Sequence, residues 1–266
     1  DRLDAYDVVW TSPSGDASGS MPIGNGRLGA NVWIDGAAGD LCCYLSRTDS
    51  FSEASRLLKL GRLRLHFEPN PFVDGQPFVQ RLHLAAGTIR ILAGNIDRAF
   101  ELRLFVDSDS DVVHVTGASA MPIAVTAYGE TWRRQDRLLT GDELASSWTM
   151  QQAPAGIEVR ESADRTVLTG TDDDPYWGLY HRNDSSVVAL SLRHQGLQDA
   201  KTATDPLLHR TFGMMLHGNG MVRGPSADYP VLQAPPARRF ALQVAAPCVQ
   251  DERELAWSGA ATALLS

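Results

Sequence analysis

The chain has 266 residues, 43% hydrophobic and 21% charged, with 23 glycines and 14 prolines scattered without period. That composition suits one large β domain or two small ones, and excludes collagen-like, low-complexity and disordered chains. Its 24 basic and 32 acidic residues give a formal charge of -8, which argues against nucleic acid and anionic membrane surfaces as partners and is indifferent to a neutral sugar.

No run of about 18 apolar residues exists to span a bilayer, and Asp1-Arg2-Leu3-Asp4 lacks the apolar segment of a signal peptide. An exported protein would therefore already have lost its leader. In chain order, Val8-Val9-Trp10 reads as a first short strand. Gly24-Asn25-Gly26 supplies a tight reversal before a run from Arg27 to Trp33. Cys42 and Cys43 are neighbours on a strand and point to opposite faces, so buried thiols are expected, with a bridge from Cys248 to either as the alternative. Ser52 to Leu60 has the cap and stop of a short helix in Ser52 and Gly61. Arg62 to Phe67 alternates polar and apolar without a fault, and Pro69 and Asn70-Pro71 end that ladder.

Reversals follow at Asp74-Gly75, Gly87 and Gly94-Asn95. Phe100 to Leu104, Val112 to Val115 and Ile123 to Tyr128 are further strands. Trp132 to Gln152 is a polar excursion over one sheet face. Gly156 to Val159, Trp177 to Tyr180, Val187 to Leu192, Phe212 to Leu216 and Phe240 to Val244 read as strands, bringing the total to about sixteen, the spacing of a sandwich. Asp251-Glu252-Arg253-Glu254 opens the best helix, which carries Trp257, Leu264 and Leu265. An exposed apolar patch near Trp257 is expected there, as on a linker helix from a longer protein.

Candidate chemistry is weighed residue by residue. Asp172-Asp173-Asp174 before Pro175 reads as a solvated turn. Asp49 and Glu53 lie beside the Gly-rich loop and either meet a ligand at the domain mouth or serve the capping around Ser52. Asp107-Ser108-Asp109-Ser110-Asp111 has the oxygen spacing of a calcium loop but lacks its glycine and its final acid, so an acidic turn is expected and no metal site is assigned. His66, His83 and His114 fall at polar positions of alternating strands and read as surface groups. His181-Arg182-Asn183 and His209-Arg210 gather donors at strand ends, for an interface, a sugar contact or structural hydrogen bonds. Trp132 and Trp148 are candidate stacking platforms for sugar rings, with burial as the other reading. No nucleophile elbow, P-loop or dinucleotide fingerprint is present, so no catalytic residue and no cofactor is assigned.

Met21-Pro22-Ile23-Gly24-Asn25-Gly26-Arg27-Leu28-Gly29 resembles the amino-terminal signature of inverting bacterial α-L-fucosidases, with Thr48-Asp49-Ser50-Phe51-Ser52 in the place of their following aspartate-containing segment. Val9-Trp10-Thr11-Ser12-Pro13, Lys59-Leu60-Gly61-Arg62 with Pro69-Asn70-Pro71-Phe72, and Asp205 to Gly213 resemble a domain of unknown function at the front of secreted glycoside-hydrolase-like proteins. The likeness implies an all-β fold, a large two-layer antiparallel super-sandwich over residues 1–250. A short C-terminal linker helix, 251–266, would lead toward a catalytic (α/α)6 barrel of the same parent polypeptide. It further implies a secreted or periplasmic accessory domain that packs on that barrel and shapes the entrance for a carbohydrate substrate. Asn25, Arg27, Asp49, Glu53, Trp132, Trp148, His181, Arg182 and Asn183 are its candidate contacts. The alternatives are an independent carbohydrate-binding module and a mutarotase-like enzyme, which needs His181 facing Asp49 or Glu53 in a cleft.

Overall fold

Alternating side chains set the strands. A computed structural model describes residues 3–72, 75–147, 150–151, 156–197, 199, 205–226 and 229–266. Among these the strands are β1 (Val8–Trp10), β2 (Met21–Gly24), β3 (Leu28–Ile34), β4 (Leu41–Phe51), β5 (Leu57–Glu68), β6 (Phe78–His83), β7 (Thr88–Ala93), β8 (Phe100–Val106) and β9 (Val112–Glu130). There follow β10 (Arg137–Leu138), β11 (Arg160–Glu161), β12 (Arg165–Thr171), β13 (Asp174–Arg182), β14 (Arg210–Gly218), β15 (Val222–Arg223), β16 (Val231–Ala245) and β17 (Cys248–Gln250). Helices are short: α1 (Gly141–Ala145), α2 (Val188–His194) and α3 (Ala256–Leu265). The all-β expectation holds.

The layers arise from two long strands that bend. The first part of β9 pairs with β8 and its last part with β5, while β16 runs along its other edge throughout. One layer therefore runs β1-β6-β7-β8-β9-β16-β14-β13-β12, and the other runs β2-β3-β4-β5 onto the far half of β9. The bend falls where the register between β16 and β9 slips, beside Pro235 and Pro236. Proline lacks an amide donor and fits such a bulge. All pairings between these strands are antiparallel. The layers meet on a continuous apolar core, in which Phe67 of β5 contacts Phe72, Phe100 and Phe240 at ring separations of 5.9, 5.2 and 6.1 Å.

Four local expectations need correction, among them Gly156 to Val159, which is a turn and irregular chain leading into β11 rather than a strand. Ser52 to Leu60 is not a helix: the Ser52 hydroxyl accepts from the amides of Ala54 and Arg56, closing a turn, and β5 starts at Leu57. Gly61 is a bulge glycine with φ 153 where the β4–β5 register slips, not a helix stop. Val187 to Leu192 is largely α2, not a strand: the Ser186 hydroxyl accepts from the Val188 amide in a turn just before the helix, and Val187 packs with Ala54, Leu139 and Val159 in a satellite cluster. The terminal helix begins at Ala256, since Arg182 takes the carbonyls of Asp251 and Glu252 before they can join it.

Trp257 itself is not part of an exposed apolar patch, although Leu255 just before the helix is 68% exposed. Trp257 is 1% exposed, stacks on Tyr180 at 5.2 Å and donates its indole N–H to the Pro247 carbonyl. α3 thus lies on the sandwich and seals Met215, Ala245 and Val112.

Candidate functional site

The Gly24-Asn25-Gly26 turn is fixed by one side chain. Asn25 Oδ1 accepts from the amides of Arg27 (3.0 Å) and Leu28 (2.9 Å), and Gly26 takes φ 91, which favours glycine. Asn25 Nδ2 donates to the carbonyls of Asp107 (2.8 Å) and Ser110 (3.0 Å), so the β2–β3 turn is stitched to the β8–β9 turn. The acidic turn at Asp107 to Asp111 has local duties. Asp107 accepts from the amides of Asp109 and Ser110, and Asp111 faces arginines.

Arg47 organises what lies beneath. Its guanidinium holds both Asp49 oxygens (2.7 and 3.0 Å), Asp111 (2.8 Å) and the Ala246 carbonyl (2.8 Å). Burial would raise the Asp49 carboxyl, but this fork outweighs it and holds the group below the usual carboxylate range. Arg27 reaches Asp111 at 3.5 Å from the solvent side, and Arg210 donates to the Asp49 carbonyl at 2.8 Å. The Asp49 side chain stays 41% exposed. Arg47 was detectable in principle: it stands two residues before Asp49 on one strand and so shares its face.

Deeper, His181 on β13 bridges two acids. Its Nε2 lies 2.9 Å from Glu53 and its Nδ1 3.1 Å from Asp164. Glu53 also accepts from the amide and hydroxyl of Ser162, at 2.6 and 2.8 Å. Asp164 also accepts from Arg133 (2.8 Å) and from the Thr131 hydroxyl. His181, Glu53 and Asp164 are each 1% exposed or less. Burial would lower the imidazolium pKa, yet hydrogen bonds to Asp164 and Glu53 lift it to about 9. Burial pushes both carboxyls up, and His181, with Arg133 at Asp164, more than reverses that. Two cations and two anions therefore balance inside the domain, each charged group hydrogen-bonded at least once although Arg133 Nη2 is left without a partner, and such pairing is what makes buried charge tolerable.

The His181–Glu53 pairing expected of a mutarotase-like site thus exists, but it is sealed rather than set in a cleft. Asp49, the other acid considered for His181, belongs to Arg47. Arg182 and Asn183 act on backbone: Arg182 on Asp251 and Glu252, Asn183 on the carbonyls of Phe51 (2.9 Å) and Leu207 (3.0 Å). Of the readings open to this tripeptide, the geometry is that of structural hydrogen bonding.

Trp132 is 53% exposed, stands edge-on to Tyr44 at 6.1 Å, and has the Arg133 guanidinium 5.5 Å from its ring centre. Trp148 lies outside the described residues, as does Asp74 of the Asp74-Gly75 turn. His66, His83 and His114 lie partly exposed on the surface, each with a partner: His66 contacts Asp40 (2.8 Å), His83 contacts Asp7 (3.1 Å), and His114 stacks on Phe105.

Asn25, Arg27, Asp49, Glu53, His181, Arg182 and Asn183 therefore gather at one end of the sandwich, linked through Arg47, Arg210 and the carbonyls of Asp49 and Phe51. Asp164, Arg133 and Asp111 complete the network, and periodicity gave no signal for Asp164 or Arg133, which sit in irregular segments. No curated protein matches the chain. The family model of a domain of unknown function (DUF5703), named DUF5703_N, matches residues 9–265, and the chain belongs to that family.

Proposed function

We propose that this sandwich is an accessory domain of a carbohydrate-processing polypeptide, and that its loop end packs on a catalytic helical barrel and shapes the substrate entrance. The observation that carries the reading is the split within that end. Arg27 and Asp49 reach solvent, while Arg47, which grips Asp49 and the Asp111 that Arg27 faces, is buried and bonded to the Ala246 carbonyl. A surface held from beneath loses little side-chain entropy on docking. Membership of a family whose name marks an amino-terminal unit supports the same reading. So does the likeness of residues 21–29 to the fucosidase amino-terminal signature, and secretion or a periplasmic location is inferred from it. A second reading, a free-standing carbohydrate-binding module, is favoured by the exposure of Trp132 beside Tyr44.

The burial of His181 and Glu53, neither side chain more than 1% exposed, weighs against turnover by this chain alone, since a substrate must touch the groups that act on it. The test is an assay of residues 1–266 and of the parent polypeptide on aryl glycosides, with Asp49→Ala and Arg27→Ala in the parent. The reading expects an inert domain and a parent whose KM shifts in both variants. Turnover by the isolated domain, or a parent indifferent to both changes, would overturn it.

A further inference from the structure

The outer face of the first layer carries an unusual row. Directly opposed residues on adjacent strands are Arg81 and Arg90, then Arg90 and Arg103, then Arg103 and Thr116. Like charges directly opposite one another destabilise a sheet. In the next row Glu101 stands opposite Ala118, and Ala118 opposite Arg239. Glu101 receives Arg90 through two bonds (2.9 and 3.1 Å) and Arg103 through one, so a single acid serves two cations. Arg238 and Arg239 are exposed, and no acid within ion-pair distance of either is found among the described residues.

Two adjoining concavities of about 460 and 400 Å³ lie over this face and share Glu101, Ala118 and Arg239. Thr116 and Ser119 add hydroxyls to their walls, and Ala118 keeps the floor low. The remaining surface belongs to a protein of formal charge -8. With Asp7 3.7 Å from Arg81 and Glu101 shared by Arg90 and Arg103, the row still carries more cations than acids, and an anion docking over it would offset that repulsion.

We infer that this face binds an acidic saccharide chain, its carboxylate or sulfate groups on Arg103 and Arg239 and its hydroxyls on Glu101 and Thr116. The inference rests on the carbohydrate reading above and names the substrate class, at a surface separate from the loop end. Nucleic acid fits poorly: the acid amid the arginines repels a dense polyanion but suits a ligand whose charges alternate with hydroxyls.

The test measures binding of the chain to polygalacturonate, heparin, neutral dextran and a DNA duplex at two salt concentrations. Salt-sensitive binding of polygalacturonate or heparin is expected, with preference between them identifying the anion. The Arg103→Gln/Arg239→Gln double variant should lose at least about tenfold in affinity. Arg160→Gln, an exposed arginine elsewhere, should change nothing. Binding of neither acidic polymer, equal binding of DNA, or equal loss in Arg160→Gln would overturn the inference. Binding of dextran alone would overturn it too, yet leave the carbohydrate reading standing.

Discussion

The two charged regions of this sandwich live under opposite conditions. At the loop end, His181 and Arg133 face Glu53 and Asp164 in matched number, buried and with each acid bonded more than once. On the outer sheet face, Arg81, Arg90 and Arg103 stand shoulder to shoulder in water with too few acids between them. Removing one member of the first group strands the others in a medium that cannot solvate them; removing one member of the second relieves repulsion. Matched and buried charge holds the fold, and unmatched exposed charge is free to recognise something else.

The largest effect expected from that contrast is at His181. His181→Ala leaves two buried carboxylates short of a partner and should cost about 3–5 kcal/mol in urea unfolding. A loss below about 1 kcal/mol would mean that the network is solvated and the contrast false.

Asn25→Ala removes four hydrogen bonds that tie two turns together and should cost about 2 kcal/mol by the same measurement. Because those bonds lie at the edge of the loop end, the Arg27 docking surface should loosen as well, seen as faster amide exchange at residues 25–28.

The pH dependence follows from the sign of each shift. His181 is raised from 6.5 to about 9, so its contribution is complete below pH 6.5 and is lost as pH rises through about 9. Glu53 and Asp164 are held below their ordinary 4.5 and 3.8, so theirs is complete above those values and is lost as pH falls through the depressed ones. Stability should therefore crest between about pH 5 and 6.5 and fall on the alkaline side. In His181→Gln that alkaline fall should flatten, measured as Tm against pH.

The smallest effect is at the arginine face. Arg103→Gln and Arg239→Gln should move unfolding free energy by no more than about 0.5 kcal/mol. A larger destabilisation would show that this face also serves the fold and would blur the two regions into one.

Much of the architecture could be read from alternation: β5, β8 and the outer parts of β9 and β16 announce themselves because each has one buried face. The turn at Asn25 was equally plain, since glycine and asparagine have few other uses in that order. Sheet switching was not, because β9 and β16 keep a period of two on both sides of the bend and just Pro122 and Pro235-Pro236 hint at it. Val187-Val188 misled because β-branched residues favour strands, whereas the Ser186 turn and burial of Val187 against Ala54 favoured a helix. Within the site, Glu53 and His181 were singled out by residue type although they lie 128 positions apart. Their burial was invisible, as it depends on Asp164, Arg133 and Ser162 arriving from a segment without periodicity.

The charge state of His181 tests the central claim most directly. Nitrogen NMR of its imidazole from pH 5 to 10, with and without added saccharide, should find both ring nitrogens protonated until about pH 9, unmoved by sugar. A neutral ring at pH 7, or a ring whose signals shift when saccharide is added, would contradict it and reopen His181 as a group that meets substrate.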